Sequence, residues 1–420
     1  MMSATITPNT SQAVQGLPSN SKATKLGQIP FMFNLTKGKD SKNVFIRVQG
    51  NDPTSGYQAC YVTFDSSGNP SYNHDQTDPS KFCIPLSKLP SDILIPELDS
   101  GRVYVSIGAT LKSQNPDPQN TKGSDYTTPY TFFELTNVSK NQEGVTLDSV
   151  WCNVTAVDTF SSPSVQVQMN TSSGKGPLIG YAGDPSVLLT KAQKKLGEYG
   201  GSAASTWAKL FMKNTSGEIF RVMSPKHFAK EVGTPFHSYF SEYLKNTFLP
   251  YYQTHPLYVI ATVDKIAIPL SCQVSQDLLT FNFTKKNGEK VTSITTNIEN
   301  SFPWLSGGSG DWMTNPDATQ CDLIRDLSAL MCSGMKLESI VTSWENPISK
   351  DFLGTQKDKG LFYQAQNANG APMYNVYDRA MHESGFTGYA YDYDDMYGND
   401  DGTQVGSWGS NPKFTISLDF

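Results

Sequence analysis

From about Ile29 to Met169, apolar side chains recur at every second position, and that period confines the segment to β-strands. In Val103-Tyr104-Val105-Ser106-Ile107 one face carries Val103, Val105 and Ile107, and the other carries Tyr104 and Ser106. Val44–Val48 and Val165–Met169 read the same way, with Gly, Pro, Asn and Asp clusters between such runs. Many short strands punctuated by turn residues predict an antiparallel barrel or sandwich.

The pattern changes after Asn170. The segment Thr171–Pro177, rich in Ser and Gly, reads as a linker. Helices are expected over Pro185–Leu196, with Asp184 as cap, and over Phe236–Phe248, with Pro250 as the stop. A third is expected over Cys321–Met331, capped by Asp317 or Thr319. Strand-like runs Leu257–Val263 and Leu278–Phe283 lie between them. From Met373 the chain returns to alternation, with Tyr389, Tyr391 and Tyr393 on one face and a final strand over Phe414–Leu418. The expected organisation is a disordered arm over 1–28, the first part of a β-barrel or sandwich domain over 29–172, an inserted mixed α/β domain over 173–362, and closing strands over 363–420. The fold class is α+β, mainly β.

Charge narrows the function. With 33 basic and 39 acidic side chains the formal charge is −6, and charged residues make up only 17% of the chain, against roughly 25% in an average soluble protein. A nucleic-acid binder needs a clustered basic face, so that class is excluded. No apolar run reaches the roughly 18 residues that cross a bilayer, so no membrane partner is expected. Uncharged polar and aromatic surface suits neutral ligands such as polysaccharides. The six cysteines contain no CxxC pair and read mostly as buried thiols. Residues 1–28 lack the apolar stretch of a signal peptide, so secretion by that route has no support here.

Several motifs fail on spacing. Gly174-Lys175-Gly176 lacks the rest of a P-loop, and Gly307-Gly308-Ser309-Gly310 lacks the nucleophile-elbow spacing. His382-Glu383 has no second His four positions after the first. With five scattered His residues, no metal site is expected and no cofactor is called for. The acidic run Asp392, Asp394, Asp395, Asp400, Asp401 lacks the EF-hand spacing. It reads either as a solvated rim or as a groove wall beside tyrosine platforms.

Two acids stand out on strand-like segments. Glu134 shares a face with Phe132 and Thr136, and Asp158 shares one with Cys152, Val154 and Ala156. The polar stretch Asn137–Ser149 between them would be a long hairpin loop, letting both carboxylates face one groove. Glycoside hydrolysis uses such a pair: one acid protonates the leaving oxygen, and one carboxylate activates water or attacks carbon. Apolar neighbours such as Phe132 would keep Glu134 protonated. Solvated or turn-capping acids are the plainer alternative.

The order of these pieces resembles glycoside hydrolase family 64, the laminaripentaose-producing β-1,3-glucanases of the thaumatin-like superfamily. Phe133-Glu134-Leu135-Thr136 resembles the family's E-F-T strand, and Asn153 to Asp158 resembles its N-x-[ST]-x-V-D strand. Val103–Ser106, Arg221–Pro225, Asn375–Glu383 and Tyr389–Met396 resemble further stretches in the same order, and the likeness runs from about Phe31 to Phe420. Asp392 departs from it, standing where the family often has Pro. The resemblance implies a β lobe and an α/β lobe flanking a wide groove. It also implies inverting hydrolysis of long β-1,3-glucan, with Glu134 as general acid and Asp158 as general base. Asp148 is the fallback base. Thr136, Asn153, His382, Tyr391, Tyr393, Asp394 and Asp395 would bind substrate. The expected partner is the glucan alone, met by a monomer, and by substrate the setting would be extracellular. The alternative is a non-catalytic glucan-binding or host-interaction protein on the same scaffold.

Overall fold

The alternation is realised as two stacked open sheets. The computed structural model describes residues 27–420 apart from 37, 143–144, 215, 276–278, 307 and 398–401. The arm read over 1–28 therefore falls almost wholly outside the described residues.

Strands β1 (Ile29–Leu35), β2 (Val44–Asp52), β3 (Gln58–Phe64), β4 (Pro70–Asn73), β5 (Ile84–Pro85), β6 (Asp92–Ile95) and β7 (Leu98–Ile107) open the fold. Then come β8 (Tyr130–Gln142), β9 (Val145–Val154), β10 (Thr159–Ser161), β11 (Ser164–Thr171) and β12 (Gly174–Gly180). After β13 (Phe211–Lys213) and β14 (Ile219–Met223), the strands β15 (Leu257–Val263), β16 (Ile266–Ser275), β17 (Leu279–Thr284) and β18 (Lys290–Thr296) form an antiparallel meander. The chain closes with β19 (Thr403–Gly406) and β20 (Lys413–Asp419).

The larger sheet runs β19-β9-β8-β7-β2-β3-β4, with β5 also on β2; the smaller runs β12-β11-β20-β1-β6. Their facing side chains share one core: Phe414, Ile416 and Leu418 of β20 and Val165 and Val167 of β11 are buried with Phe133, Leu135, Val150 and Cys152. The Phe31 ring lies 6.1 Å from Phe133 and 4.9 Å from Phe414. Each such fully buried side chain contributes roughly 1.5–3 kcal/mol relative to exposure. Among the described residues no sheet closes into a barrel, so the sandwich alternative holds.

Two sequence expectations change here. Asn137–Ser149 is not a loop: β8 and β9 pair continuously from Phe133↔Val154 to Gln142↔Val145. Thr171–Pro177 is not a linker, because β11 and β12 make a hairpin whose turn is only Ser172–Ser173. In the second, exposed polar and glycine residues at strand positions mimic loop composition.

The helices include α1 (Pro185–Tyr199), α2 (Pro225–Ala229), α3 (Ala318–Ser333), α4 (Lys350–Asp358) and α5 (Val376–Glu383). Asp184 caps α1 by accepting from the Ser186 N–H, and Asp317 with Gln320 forms a capping box on α3. The helix expected over Phe236–Phe248 instead begins at Ser241 and continues past Pro250 to Tyr252. A wide π turn over Leu244–Phe248 precedes the proline, and such turns absorb local breaks in the i→i−4 ladder.

The second face of the larger sheet carries Tyr104, Tyr130 and Phe132, buried with Leu111 and Cys83. The chain between β7 and β8 crosses this face and is held by two buried arginines. Arg47 donates to the Ser113 and Gln114 carbonyls at 2.9 Å each, and Arg221 to the Tyr126 and Thr128 carbonyls at 3.1 Å each. The rest of that face is left open.

Candidate active site

A row of polar side chains crosses the open face. Gln49, Arg102, Glu134, Asn153 and Thr403 stand directly opposite one another on β2, β7, β8, β9 and β19, and directly paired residues project to the same side. Glu134 is at the centre. Its Oε1 accepts from Arg102 Nε at 3.2 Å, and its Oε2 accepts from Asn153 Nδ2 at 3.3 Å. The Arg102 guanidinium also lies 4.8 Å from the Phe132 ring. The apolar setting expected for Glu134 is thus replaced by a cation and an amide, with Phe132 reaching it behind the arginine.

Asp158 reaches the same face by breaking the alternation. Cys152, Val154 and Ala156 are buried in the core, whereas Asn153 and Thr155 line the cavity. Continued period two would bury Asp158 too. Instead β9 ends at Val154, Thr155 bridges to Tyr389, and Thr155 Oγ1 accepts from the Val157 N–H at 3.1 Å. That side-chain turn bends the chain, and the Asp158 carboxylate enters the cavity.

There Asp158 Oδ1 lies 3.0 Å from Lys226 Nζ and 3.4 Å from His227 Nε2, both on α2. Burial alone would raise the carboxyl's pKa; the His227 contact and the Lys226 charge outweigh it and hold the group well below the usual carboxylate range. Lys226 also lies 3.8 Å from Asp392 Oδ1. Burial pushes the Asp392 carboxyl up to about 6 despite that lysine, with Asp158 adding repulsion. Two neighbouring carboxyls are thereby driven apart in proton affinity.

Glu134, Asp158, Asn153, Lys226, Asp392 and Tyr393 are among the residues lining a cavity of about 500 Å³ between the sheet face and the helical elements. A second hollow of about 500 Å³ continues along the sheet past Thr136 and shares Arg102, Glu134 and Trp151 with the first. Together they make an extended polar groove.

Not every residue proposed from sequence meets in this groove. His382, Asp394 and Tyr391 do not line it: Asp394 and Tyr391 are 1% exposed, and the Asp394 carboxylate turns to His382. The expected Tyr389–Tyr393 strand is a turn entering the 3₁₀ helix Asp394–Tyr397. Tyr389 and Tyr393 face the cavity while Tyr391 faces the core. The side chains of Asp395 and Asp148 lie outside the described residues, as do Asp400 and Asp401. Asp148 pairs with Ser139, five positions along the hairpin from Glu134↔Asn153, or about 17 Å at strand rise.

Sequence reasoning missed Arg102, Trp151, Lys226 and His227. The first two carry a readable signal, since Arg102 has the parity of Tyr104 and Trp151 that of Asn153. The α2 pair carries none, because only tertiary packing brings it to Asp158.

A family model described as β-1,3-glucanase, glycoside hydrolase family 64, matches residues 30–416. No curated protein sequence matches. A laminaripentaose-producing β-1,3-glucanase solved with laminaritetraose superposes with a TM-score of 0.67 at 19% identity, covering 94% of this chain and 99% of that one. A β-1,3-glucanase domain from Clostridium beijerinckii gives 0.67 at 17% identity, covering 95% and 100%. The Paenibacillus barengoltzii laminaripentaose-producing enzyme, complexed with laminarihexaose, gives 0.56 at 14%, covering 94% and 75%. At these identities the likeness is one of fold.

Proposed function

Because the chain belongs to glycoside hydrolase family 64, the β-1,3-glucanases, and is therefore a β-1,3-glucan hydrolase, we propose that Glu134 and Asp158 carry its reaction. Glu134 gives its proton to the glycosidic oxygen as the C1–O bond breaks. Water attacks C1 from the opposite face and passes a proton to Asp158. The configuration at C1 inverts, and no covalent glycosyl-enzyme forms.

One observation carries this reading: the two carboxylates line one cavity but are held from different walls, Glu134 by the sheet and Asp158 by α2. An inverting pair needs such separation, so that sugar and water fit between. Depressed proton affinity keeps Asp158 ionised, as a base must be. Arg102 and Asn153 fix the Glu134 carboxyl, and the hollow past Thr136 and Trp151 accommodates further sugars. The inserted lobe, expected over 173–362, begins in this reading only after β12, which belongs to the smaller sheet, and sits on a thaumatin-like scaffold. The enzyme acts as a monomer on extracellular cell-wall glucan and releases short oligosaccharides such as laminaripentaose. No helix among the described residues is long and apolar enough to cross a membrane.

The test is the anomer released from linear β-1,3-glucan, followed by proton NMR in the first minutes. Inversion gives the α-anomer first, and Glu134→Gln and Asp158→Asn each abolish release while curdlan binding persists. An initial β-anomer, or full activity in either variant, overturns the assignment. Binding without hydrolysis by the unmodified chain would identify a glucan-binding protein instead.

A further inference from the structure

We propose that Asp378, His382 and Asp394 bind one divalent transition-metal ion, with zinc the best fit, clamping helix α5 to the segment that carries Asp392 and Tyr393 into the cavity. This goes beyond the glucanase reading and does not depend on it.

Asp378 and His382 are four residues apart on α5 and so share a face. Asp394 meets them from the 3₁₀ helix Asp394–Tyr397, and one ligand atom from each of the three lies within 4.8 Å of the others. His382 Nε2 is 2.7 Å from Asp394 Oδ2 and 3.4 Å from Asp378 Oδ1. The helix-zincin spacing fails at His382 because no second His follows, but a carboxylate four positions before it serves the same face.

The surroundings are those of a metal centre's outer shell. His382 Nδ1 lies 3.1 Å from the Phe386 carbonyl, which can take the ring's N–H and so free the Nε2 lone pair for an ion between it and the carboxylates. Tyr363 donates its hydroxyl to Asp378 Oδ2 at 3.2 Å, and the Ala390 N–H donates to Asp394 Oδ2 at 2.7 Å. Of the remaining carboxylate oxygens, Asp394 Oδ1 is buried without a hydrogen-bond partner, and Asp378 Oδ1 is buried with only the long 3.4 Å contact to His382 Nε2. Asp378 and Asp394 are 0% and 1% exposed. Buried unsatisfied carboxylate oxygens are costly, and a cation bonded to both Oδ1 atoms and to Nε2 removes that cost.

One imidazole with two carboxylates suits zinc and its first-row neighbours; calcium takes six to eight oxygens, and magnesium retains several waters. The rival arrangement has His382 protonated on both nitrogens, with Lys357 of α4, whose charge also acts on Asp378 and Asp394, balancing the remainder.

The full chain, stripped with chelator and titrated with zinc chloride in a calorimeter, is expected to take up one ion and to gain thermal stability. His382→Gln and Asp378→Asn should each weaken uptake by about 100-fold or more, beyond the 10–100-fold of an outer-shell change. Zinc-edge X-ray absorption on the unmodified protein should find a single imidazole among oxygen donors, and it decides the matter if the variants do not fold. No stoichiometric uptake, a shell without imidazole or with more than one, or uptake unaltered in both variants would each overturn the proposal. So would a doubly protonated His382 ring, seen by NMR, in zinc-saturated protein.

Discussion

The Lys226 ammonium stands 3.0 Å from the Asp158 carboxylate and is the nearest fixed cation to it. The His227 contact first and this charge second outweigh burial and hold the Asp158 carboxyl below its unfolded value of about 3.9. A depressed carboxyl adds stability above that unfolded value and loses it as pH falls through the folded one. Lys226→Met should raise the proton affinity of Asp158 and move the acid limb of the kcat/KM profile to higher pH. A pH–rate profile on laminarin checks this, and an unmoved acid limb would separate Lys226 from the base.

Arg102 and Asn153 orient Glu134 from its two sides. A hydrogen bond to a charged group is worth roughly 1.5–3 kcal/mol, so Asn153→Ala should lower kcat by about 10–100-fold. Arg102→Lys should fare no better than Arg102→Met, because lysine loses both the planar fork and the stacking on Phe132. Steady-state kinetics of the three variants decide the point.

Trp151 borders both hollows of the groove and is in no hydrogen bond of the Glu134 clamp. Its ring offers a flat face for a sugar held equally in ground and transition states. Trp151→Ala should raise KM about tenfold and leave kcat within about twofold, the pattern of lost uniform binding. A fall in kcat with constant KM would contradict that role.

Gly334 ends α3 with φ of +59°, and a Cβ there would fall 2.3 Å from Tyr374 Cβ. Its carbonyl also accepts from the Gln364 and Ala365 N–H groups, so this segment has little freedom to yield. Gly334→Ala should destabilise the fold by about 2 kcal/mol or more, read as a lower urea midpoint with an unaltered m-value.

Strand identity was legible because burial on one face leaves a period in the chain, as in Phe414, Ile416 and Leu418. Capping was legible for the same local reason at Asp184 and Asp317. The hairpin β8–β9 reads as a loop because its sequence over Ser139–Ser149 is dominated by polar residues and carries little apolar alternation. Glu134 follows from parity alone. Asp158 does not: its parity points inward, and the Thr155 turn that redirects it is a tertiary event anchored by Tyr389. The Asp378–His382–Asp394 cluster was hidden for a similar reason, since Asp394 comes from another element.

Arg47 and Arg221 fasten the chain between β7 and β8 by its peptide oxygens, and of the side chains there the buried Asp125 adds a tie to the Lys112 and Ser113 N–H groups. Gln114 and Asn115, which form part of the groove's border, belong to that strap. Mutation can therefore rewrite the border's chemistry while its path stays put. Descendants of this chain have a place to explore new chain branching or decoration in their polysaccharides without endangering the scaffold beneath.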